Sequence, residues 1–153
     1  MKKKMFIIIS ISVLIDQFIK YLVRNTLMGI EKTIIPNFFY LTGVKNTGGA
    51  FSILESNSLL LAFIGILVVL GIIFYLKDNV NNKNYLPYSL LLGGILGNII
   101  DRIVFNGVYD YIGLIFFSYH YPVFNIADTL IVGGIIILIL LEVWGEKDGT
   151  RSK

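Results

Sequence analysis

The sequence predicts an all-α polytopic membrane protein, a four-helix transmembrane bundle with a small extracytoplasmic β-sheet and an interfacial loop. The chain of 153 residues is 56% hydrophobic and 15% charged, an apolar share well above that of soluble domains. Four apolar stretches approach the roughly 20 residues that a membrane-spanning helix needs. Because these stretches leave short connections, we expect one integral membrane domain over residues 1–153.

The first predicted helix covers about residues 5–23 and follows Lys2, Lys3 and Lys4. A basic start before an apolar run is also typical of a secretory signal peptide. A signal-peptide cleavage site needs small residues, whereas Ile15 and Gln17 occupy that region. We therefore expect this segment to be retained as a membrane helix.

The other three predicted helices cover about residues 59–76, 85–105 and 123–144. The second helix contains no charged residue and is the least ambiguous. Polar residues gather at the end of the third helix and the start of the fourth: Asn98, Asp101, Arg102, Asn125 and Asp128. Because consecutive spans run in opposite directions, both polar groups are expected at the same membrane face.

The distribution of basic residues predicts the orientation, because cytoplasmic flanks carry the excess of Lys and Arg. Eight basic residues flank the helices on the side of the termini and the 77–84 loop: Lys2, Lys3, Lys4, Lys77, Lys83, Lys147, Arg151 and Lys153. Four flank them on the other side: Arg24, Lys32, Lys45 and Arg102. Both termini are therefore predicted to be cytoplasmic. This topology accounts for the net charge of +3, and we expect no nucleic-acid partner.

Two connections lie on the predicted outer side. Residues 38–44 have the aromatic and β-branched composition of strands, which predicts a small sheet. Residues 106–122 are rich in aromatic side chains, which concentrate at the headgroup level of membranes. We expect this second connection to form an interfacial loop.

The chemical inventory excludes several kinds of site. The chain has no cysteine and one histidine, His120. A disulfide framework, a thiol nucleophile, a thiolate metal site and a site with two histidine ligands are all excluded. We predict neither a metal nor a cofactor, and acid–base chemistry must come from carboxylates, hydroxyls or lysines.

Small residues predict where the helices touch. Gly93 and Gly97 form a small-xxx-small pair with Gly94 beside them, and Gly133 and Gly134 lie in the fourth helix. Such residues let helix backbones approach closely in lipid. We therefore expect tight contact between the third and fourth helices.

Ionisable residues at membrane depth usually face the bundle interior. Asp16 and Lys20 are four residues apart and share one helix face, where the simplest interpretation is an internal ion pair that fixes packing. Asp101 and Arg102 admit the similar interpretation of a charge pair at a helix end. The spacing of these residues does not decide between such structural pairs and a functional role.

A hydrolase needs a nucleophile and a proton carrier, and this chain offers two combinations. A serine with Lys20 fits poorly, because Asp16 already neutralises that lysine and no serine is placed against it. Two close carboxylates are the other combination, because like charges prevent both from ionising and one retains a proton. Asp101, Asp110 and Asp128 are the candidates, and spacing does not choose among them.

Five segments resemble, in order, the signature of the lipoprotein signal peptidases (signal peptidase II). Asp16-Gln17 with Lys20 is similar to the family's first-helix motif, and Asn-Thr-Gly-Gly-Ala-Phe at 46–51 to its outer-loop motif. The remaining three segments are residues 93–102, 107–112 and 124–128. The resemblance covers nearly the whole chain.

The resemblance implies an aspartic endopeptidase of the bacterial cytoplasmic membrane, and the topology predicted from the basic residues places its active site near the outer face. Its partners would be membrane lipid and prolipoproteins, cut just before a cysteine that carries diacylglycerol. The family's catalytic pair falls on Asp110 and Asp128. Positions that bind substrate or support the site fall on Asn46, Asn98, Asp101, Arg102 and Asn125. Structural positions fall on Asp16, Lys20 and Gly94.

The chain departs mildly from the family pattern. Gly49 stands where alanine is usual, and Tyr109 and Tyr111 replace the more usual Val and Phe around Asp110. These departures bear on fine specificity and not on the reaction that the resemblance implies.

Two non-enzymatic classes compete with the peptidase. A small transporter or proton-conducting bundle would use Asp16, Lys20, Asp101 and Asp128 as a relay. A relay should continue to the inner face, where the chain offers no further acidic or basic residue within the spans before Glu142. A structural membrane subunit is a weaker alternative, because it gives no reason for three aspartates at one face.

Overall fold

The structure, a computed structural model, describes residues 2–49 and 56–147, with side chains through residue 144. Its elements follow one another as α1 (Lys2–Thr26), β1 (Glu31–Ile35), β2 (Phe39–Asn46), α2 (Ser58–Asn79), α3 (Tyr85–Phe105), β3 (Val108–Phe116), β4 (Tyr119–His120) and α4 (Ile126–Lys147). Helices α1 to α4 are long and apolar enough to cross a membrane, so the predicted four-helix bundle is confirmed.

Helix α4 begins at Ile126, three residues later than the predicted start at 123. The reason is local pairing: the backbone of Phe124 exchanges hydrogen bonds with Ile112 of β3, at 2.8 and 3.0 Å. The residues before the helix therefore belong to the edge of the sheet. This pairing joins the strand and the helix that carry the two candidate aspartates.

Helix α3 packs against each of the other three helices. A Cβ at Gly94 would collide with the backbone carbonyl of Ala127, and one at Gly134 would lie 2.8 Å from the carbonyl oxygen of Pro87. Close contact between α3 and α4 is thus confirmed.

The small residues of α3 do not all face α4: Gly93 faces α1, and Gly97 lies between α1 and α4, where an added Cβ would lie 3.5 Å from Cβ of Ala127. A Cβ at Gly93 would lie 2.6 Å from Cβ of Ser12, and one at Gly97 would lie 2.5 Å from Oδ2 of Asp16. The stripe of small residues on α3 therefore serves two neighbours. It brings α1, with its buried Asp16, into contact with the same end of α3 that α4 contacts.

The four strands form one antiparallel sheet in the order β1-β2-β3-β4. The predicted strand segment 38–44 forms a strand from residue 39 onward, within β2, but the sheet is larger than expected. Most of the 106–122 segment, predicted as an interfacial loop, forms strands β3 and β4. Strand β3 lies between β2 and β4, with Val44 opposite Asp110.

The turn between β3 and β4 exposes aromatic side chains. Phe117 and Ser118 both have positive φ, 48° and 68°, and the Phe117 side chain is fully exposed. Phe38 and Phe116 pack edge to face beside it, with ring centroids 5.7 Å apart. Placement of this edge at the headgroup level remains a prediction.

Candidate active site

Asp110 and Asp128 line one cavity of about 950 Å³ at the end of the bundle where the sheet packs. Asp110 lies on β3 and is 4% exposed, whereas Asp128 lies in the first turn of α4 and is half-buried. The pairing of β3 with Phe124 places the strand beside the start of α4. Residues 18 apart in sequence are thereby brought to the same cavity.

Asn125 connects the two aspartates directly. Its side-chain Nδ2 donates to Oδ1 of Asp110 at 2.6 Å, and its Oδ1 accepts from the backbone N–H of Asp128 at 2.9 Å. The backbone N–H of Asn125 in turn donates to Oδ2 of Asp128 at 3.2 Å. This reciprocal pair has the form of a capping box at a helix N-terminus. One fully buried asparagine thus fixes both carboxylates.

The first backbone N–H groups of α4 have no partners within the helix, and two of them find acceptors in other elements of the chain. Ile126 N–H donates to the hydroxyl of Tyr111 at 3.2 Å. Ala127 N–H donates to Oδ1 of Asp16 in α1 at 3.2 Å. With the bond from Asp128 N–H to Asn125, this fixes the helix start and therefore the position of Asp128.

Two further asparagines orient the carboxylates. Asn46, at the end of β2, donates from Nδ2 to Oδ2 of Asp110 at 3.0 Å. Asn98 of α3 donates from Nδ2 to Oδ1 of Asp128 at 2.7 Å. Each aspartate therefore has both side-chain oxygens hydrogen-bonded, which holds the pair in fixed orientations.

The ion pair expected between Asp16 and Lys20 is present, with 2.8 Å between Oδ2 and Nζ and both side chains fully buried. Lys20 Nζ also lies 3.1 Å from Oδ2 of Asp101 and donates to Oδ1 of Asn98 at 2.9 Å. An ammonium group has three N–H donors, so these partners use all of them. Lys20 is therefore not placed as a free base for a serine, and it orients the Asn98 amide toward Asp128.

We expected Asp101 to form a charge pair with Arg102, but Asp101 has other partners. Its partners among the described residues are Lys20, the Nε2 of Gln17 at 2.9 Å and the backbone N–H of Tyr109 at 3.3 Å. Because Asp101 is fully buried, its charge must be neutralised inside the bundle, and Lys20 lies there. Asp101 thereby holds the strand residue that immediately precedes Asp110.

Arg102 points toward the cavity instead. It donates to the backbone oxygens of Asn98 at 3.4 Å and Gly48 at 3.3 Å. Its Nε is buried and has no hydrogen-bond partner within the described part of the chain. Arg102 as a residue lines the cavity, so its guanidinium group lies beside any molecule bound there.

Burial raises the pKa of the Asp110 carboxyl to about 6, and the charge of Asp128 adds to the increase. The hydrogen bonds from Asn46 and Asn125 oppose this effect, because they stabilise the ionised form. A raised pKa at a buried carboxyl beside a second carboxyl is the pattern of an acid–base pair.

The cavity continues from the aspartates along an apolar face of α4. Val132 and Ile136 line it and are exposed, as is Phe116 at the sheet edge. From Asp128 to Ile136 the helix rises about 12 Å. The space therefore offers a long apolar wall that ends at two carboxylates.

Some residues of the site were not among those predicted, and some predicted ones lie outside the described ranges. Gln17 binds Asp101, and Tyr111 binds Ile126, through contacts far apart in sequence that no local spacing reveals. Ala50 and Phe51 of the outer-loop motif lie outside the described residues. Within the described residues no group of three acidic or histidine side chains is arranged to hold a metal ion.

The fold and the site together define a class of protein: a polytopic membrane protein with a hydrogen-bonded carboxylate pair in a cavity at one end of its helix bundle. The family profile described as Signal peptidase (SPase) II matches residues 8–144. The chain therefore belongs to the signal peptidase II family. It is an aspartic endopeptidase of that type.

Two curated relatives match this chain along nearly its whole length. A lipoprotein signal peptidase of Bacillus pumilus (strain SAFR-032) is 36% identical over 151 residues, which cover 97% of this chain and 96% of the relative. The lipoprotein signal peptidase of Halalkalibacterium halodurans is 34% identical over 151 residues, with 97% of each chain covered.

Two solved structures, each described as a bacterial membrane enzyme determined by the in meso method, share the fold. The one at 2.3 Å resolution has a TM-score of 0.89 and 28% identity, covering 99% of this chain and 94% of its own. The one at 1.9 Å resolution has a TM-score of 0.81 and 31% identity, with 90% and 91% covered.

Proposed function

We propose that this chain removes signal peptides from prolipoproteins, cutting on the N-terminal side of a cysteine that carries diacylglycerol. Asp110 and Asp128 are the catalytic residues of this proposal. The observation that carries it is the placement of both carboxylates on one cavity, connected through Asn125. The curated relatives that match the whole chain are named lipoprotein signal peptidases.

The proposed reaction uses the carboxylates as a pair that shares one proton. The ionised member takes a proton from a water molecule, whose oxygen attacks the scissile carbonyl carbon. The protonated member gives its proton to the carbonyl oxygen, which forms a neutral tetrahedral diol. When the diol collapses and the C–N bond breaks, the protonated carboxyl gives its proton to the leaving nitrogen and the ionised one takes the proton of a diol hydroxyl, so the pair again holds one proton.

Three polar side chains around the pair support substrate binding in this proposal. Arg102 lines the cavity, and its guanidinium is proposed to donate to a substrate backbone or lipid-linked carbonyl. Asn46 and Asn98 hold the carboxylates and also line the cavity. Amide side chains and a guanidinium suit this role because they bind carbonyl groups without competing for the catalytic proton.

The apolar wall of the cavity fits the proposed substrate. A signal peptide is an apolar helix, and the lipidated cysteine brings two acyl chains that stay in the bilayer. Val132 and Ile136 on α4 are exposed toward lipid and also line the cavity. We infer that the substrate enters laterally along this wall and reaches the aspartates at its end.

The proposed topology places both termini in the cytoplasm and the cavity near the outer face. Eight basic residues flank the bundle on the terminal side against four on the other, which favours this orientation. In this placement water reaches the aspartates from outside. The whole chain acts as one membrane peptidase domain.

A proton relay is less well supported. Lys20 satisfies all its donors on Asp16, Asp101 and Asn98, all at the same end of the bundle. Between Tyr85 and Ile100 helix α3 carries no acidic or basic residue that would extend a relay toward the opposite face.

Cleavage by the purified full chain in lipid tests the proposal. The substrate is a prolipoprotein carrying a diacylglyceryl cysteine, and the unmodified precursor serves as the negative substrate. Asp110→Asn and Asp128→Asn should each abolish cleavage, because an amide cannot exchange the required proton. Asp78→Asn changes an exposed aspartate at the other end of α2 and should cleave normally.

A chelator added to the wild-type reaction should leave the rate unchanged. If chelation removed the activity and added zinc restored it, the aspartates would be metal ligands and the proposed mechanism would be wrong. Normal turnover by the Asp110 variant would contradict the assignment of the pair.

A further inference from the structure

A second cavity, of about 550 Å³, lies between α1 and α2. Its floor is formed by Leu92 and Leu96 of α3, and its apolar walls by side chains of α1 and α2 such as Phe6 and Ile73. We call this cavity the α1–α2 groove. Several wall residues are exposed toward the membrane, so the groove opens sideways to lipid.

The α1–α2 groove has cations at one end. Lys2 of α1 and Lys77 of α2 both line it, beside Val80. Within the described residues neither lysine forms an ion pair, and no acidic side chain lines the groove. Asp78 follows Lys77 in sequence but lies outside the lining. The two lysines thus line the end of an apolar groove whose lining contains no carboxylate.

The length of the groove matches one leaflet. On α2 the lining runs from Val69 to Lys77, a rise of about 12 Å. One leaflet contributes about 15 Å of the hydrocarbon core. An acyl chain lying in the groove would therefore end where the lysines meet the headgroup layer.

The charges at this end favour an anion. Helix α1 starts with three lysines and has no acidic residue in its first turn, an arrangement that the helix dipole disfavours. A phosphate group would neutralise Lys2 and interact with the positive helix end. Basic pockets between membrane helices are known to bind anionic lipid headgroups.

We propose that the α1–α2 groove is a binding site for one anionic phospholipid, with an acyl chain along the groove and the phosphate between Lys2 and Lys77. The site lies at the opposite end of α1 from Asp16 and Lys20, so it is separate from the catalytic cavity. The proposal does not depend on the reaction that the aspartates perform.

Titration of the purified full chain in detergent with dioleoyl phosphatidylglycerol or dioleoyl phosphatidylcholine tests the site. Native mass spectrometry counts bound lipids, and thermal unfolding reports the stabilisation. We expect one phosphatidylglycerol to bind with a preference of about 30-fold over phosphatidylcholine, from two lysines near the headgroup. The double variant Lys2→Gln/Lys77→Gln should lose that preference.

Two matched controls separate a site from diffuse attraction. Lys3→Gln/Lys83→Gln removes the same charge from lysines outside the groove lining and should keep the preference. Leu70→Trp fills the groove and should reduce binding, whereas Leu67→Trp, one turn away and outside the lining, should not.

Three outcomes would overturn the proposal. Equal loss in both double variants would show diffuse attraction to the basic face. Equal binding of the two lipids would show apolar packing without headgroup recognition. A dimer that forms without lipid and is disrupted by Leu70→Trp would assign the groove to a second copy of the chain.

Discussion

The hydroxyl group of Tyr111 accepts a hydrogen bond of 3.2 Å from the backbone N–H of Ile126. This bond joins the two elements of the site, because Asp110 precedes Tyr111 on β3 and Asp128 lies in the first turn that Ile126 begins. Tyr111 is buried, so water does not substitute for the bond. The separation of the two aspartates therefore depends on this contact together with Asn125.

Tyr111→Phe should lower kcat several-fold while the protein stays folded. The change leaves the N–H of Ile126 buried without its acceptor, which costs about 1–3 kcal/mol and loosens the start of α4. KM should change little, because the hydroxyl does not line the cavity. Initial rates across substrate concentration measure both constants.

Tyr21→Phe is the matched control, since Tyr21 is an exposed residue of α1 and its loss of a hydroxyl should leave kcat unchanged. Phe keeps the buried aromatic ring at position 111, so a folded variant is expected. An unchanged kcat in Tyr111→Phe would show that the hydroxyl does not position the pair.

The sequence predicted the membrane helices well because hydropathy is a local property. Their number was correct, and the start of α4 was wrong by three residues because Phe124 pairs with the sheet. Pairing between a strand and a distant segment leaves no periodic signal. The same reason explains why strand β3 was predicted as an interfacial loop.

Residue spacing predicted the site less well than hydropathy predicted the helices. The pattern Asn-x-x-Asp at 125–128 also describes an ordinary capping box, and the structure shows that Asn125 serves as a cap and also contacts Asp110. The bond from Ala127 to Asp16 crosses 111 residues. The choice among Asp101, Asp110 and Asp128 came from family resemblance, because nothing local separates a buried ion-pair carboxylate from a cavity-lining one.

Asp101→Asn should lower stability and leave partial activity. The amide keeps hydrogen bonds to its neighbours but removes one of two negative charges beside Lys20, and disruption of a buried ion pair costs about 3–5 kcal/mol. Cleavage should persist at a reduced rate, since Asp101 does not line the cavity. Thermal unfolding and initial rates in the same lipid preparation measure the two effects.

Asp78→Asn controls for the loss of one negative charge at an exposed position, and its unfolding temperature should match the wild type. Complete loss of activity in a folded Asp101→Asn protein would place Asp101 in the catalytic chemistry and contradict its assignment as a support.

Single cysteines should report the proposed topology, since the chain has none of its own. Asn82→Cys lies in the exposed connection between α2 and α3, and Ser118→Cys lies in the exposed β3–β4 turn. A membrane-impermeant maleimide applied to whole cells should label the second and spare the first. Permeabilised cells should label both, and the reverse pattern in intact cells would invert the bundle.

The pH dependence of stability should follow Asp110. Burial and the charge of Asp128 raise its pKa from 3.8 to about 6 in the folded protein, so the folded state binds this proton more tightly than the unfolded state. The contribution of Asp110 to the free energy of unfolding is therefore fully present below pH 3.8 and is lost as the pH rises through 6. The wild type should lose about 3 kcal/mol of stability over this window.

Asp110→Asn should remove this dependence and give a flatter unfolding temperature between about pH 4.5 and 7.5, whereas Asp78→Asn should retain the wild-type slope. Activity should follow the same pair: cleavage should decline at high pH when both aspartates are ionised and at low pH when both are protonated. Initial rates in lipid nanodiscs across pH measure this profile. A rate that keeps rising well above pH 8 would mean that the doubly ionised pair is active, which a shared-proton mechanism does not allow.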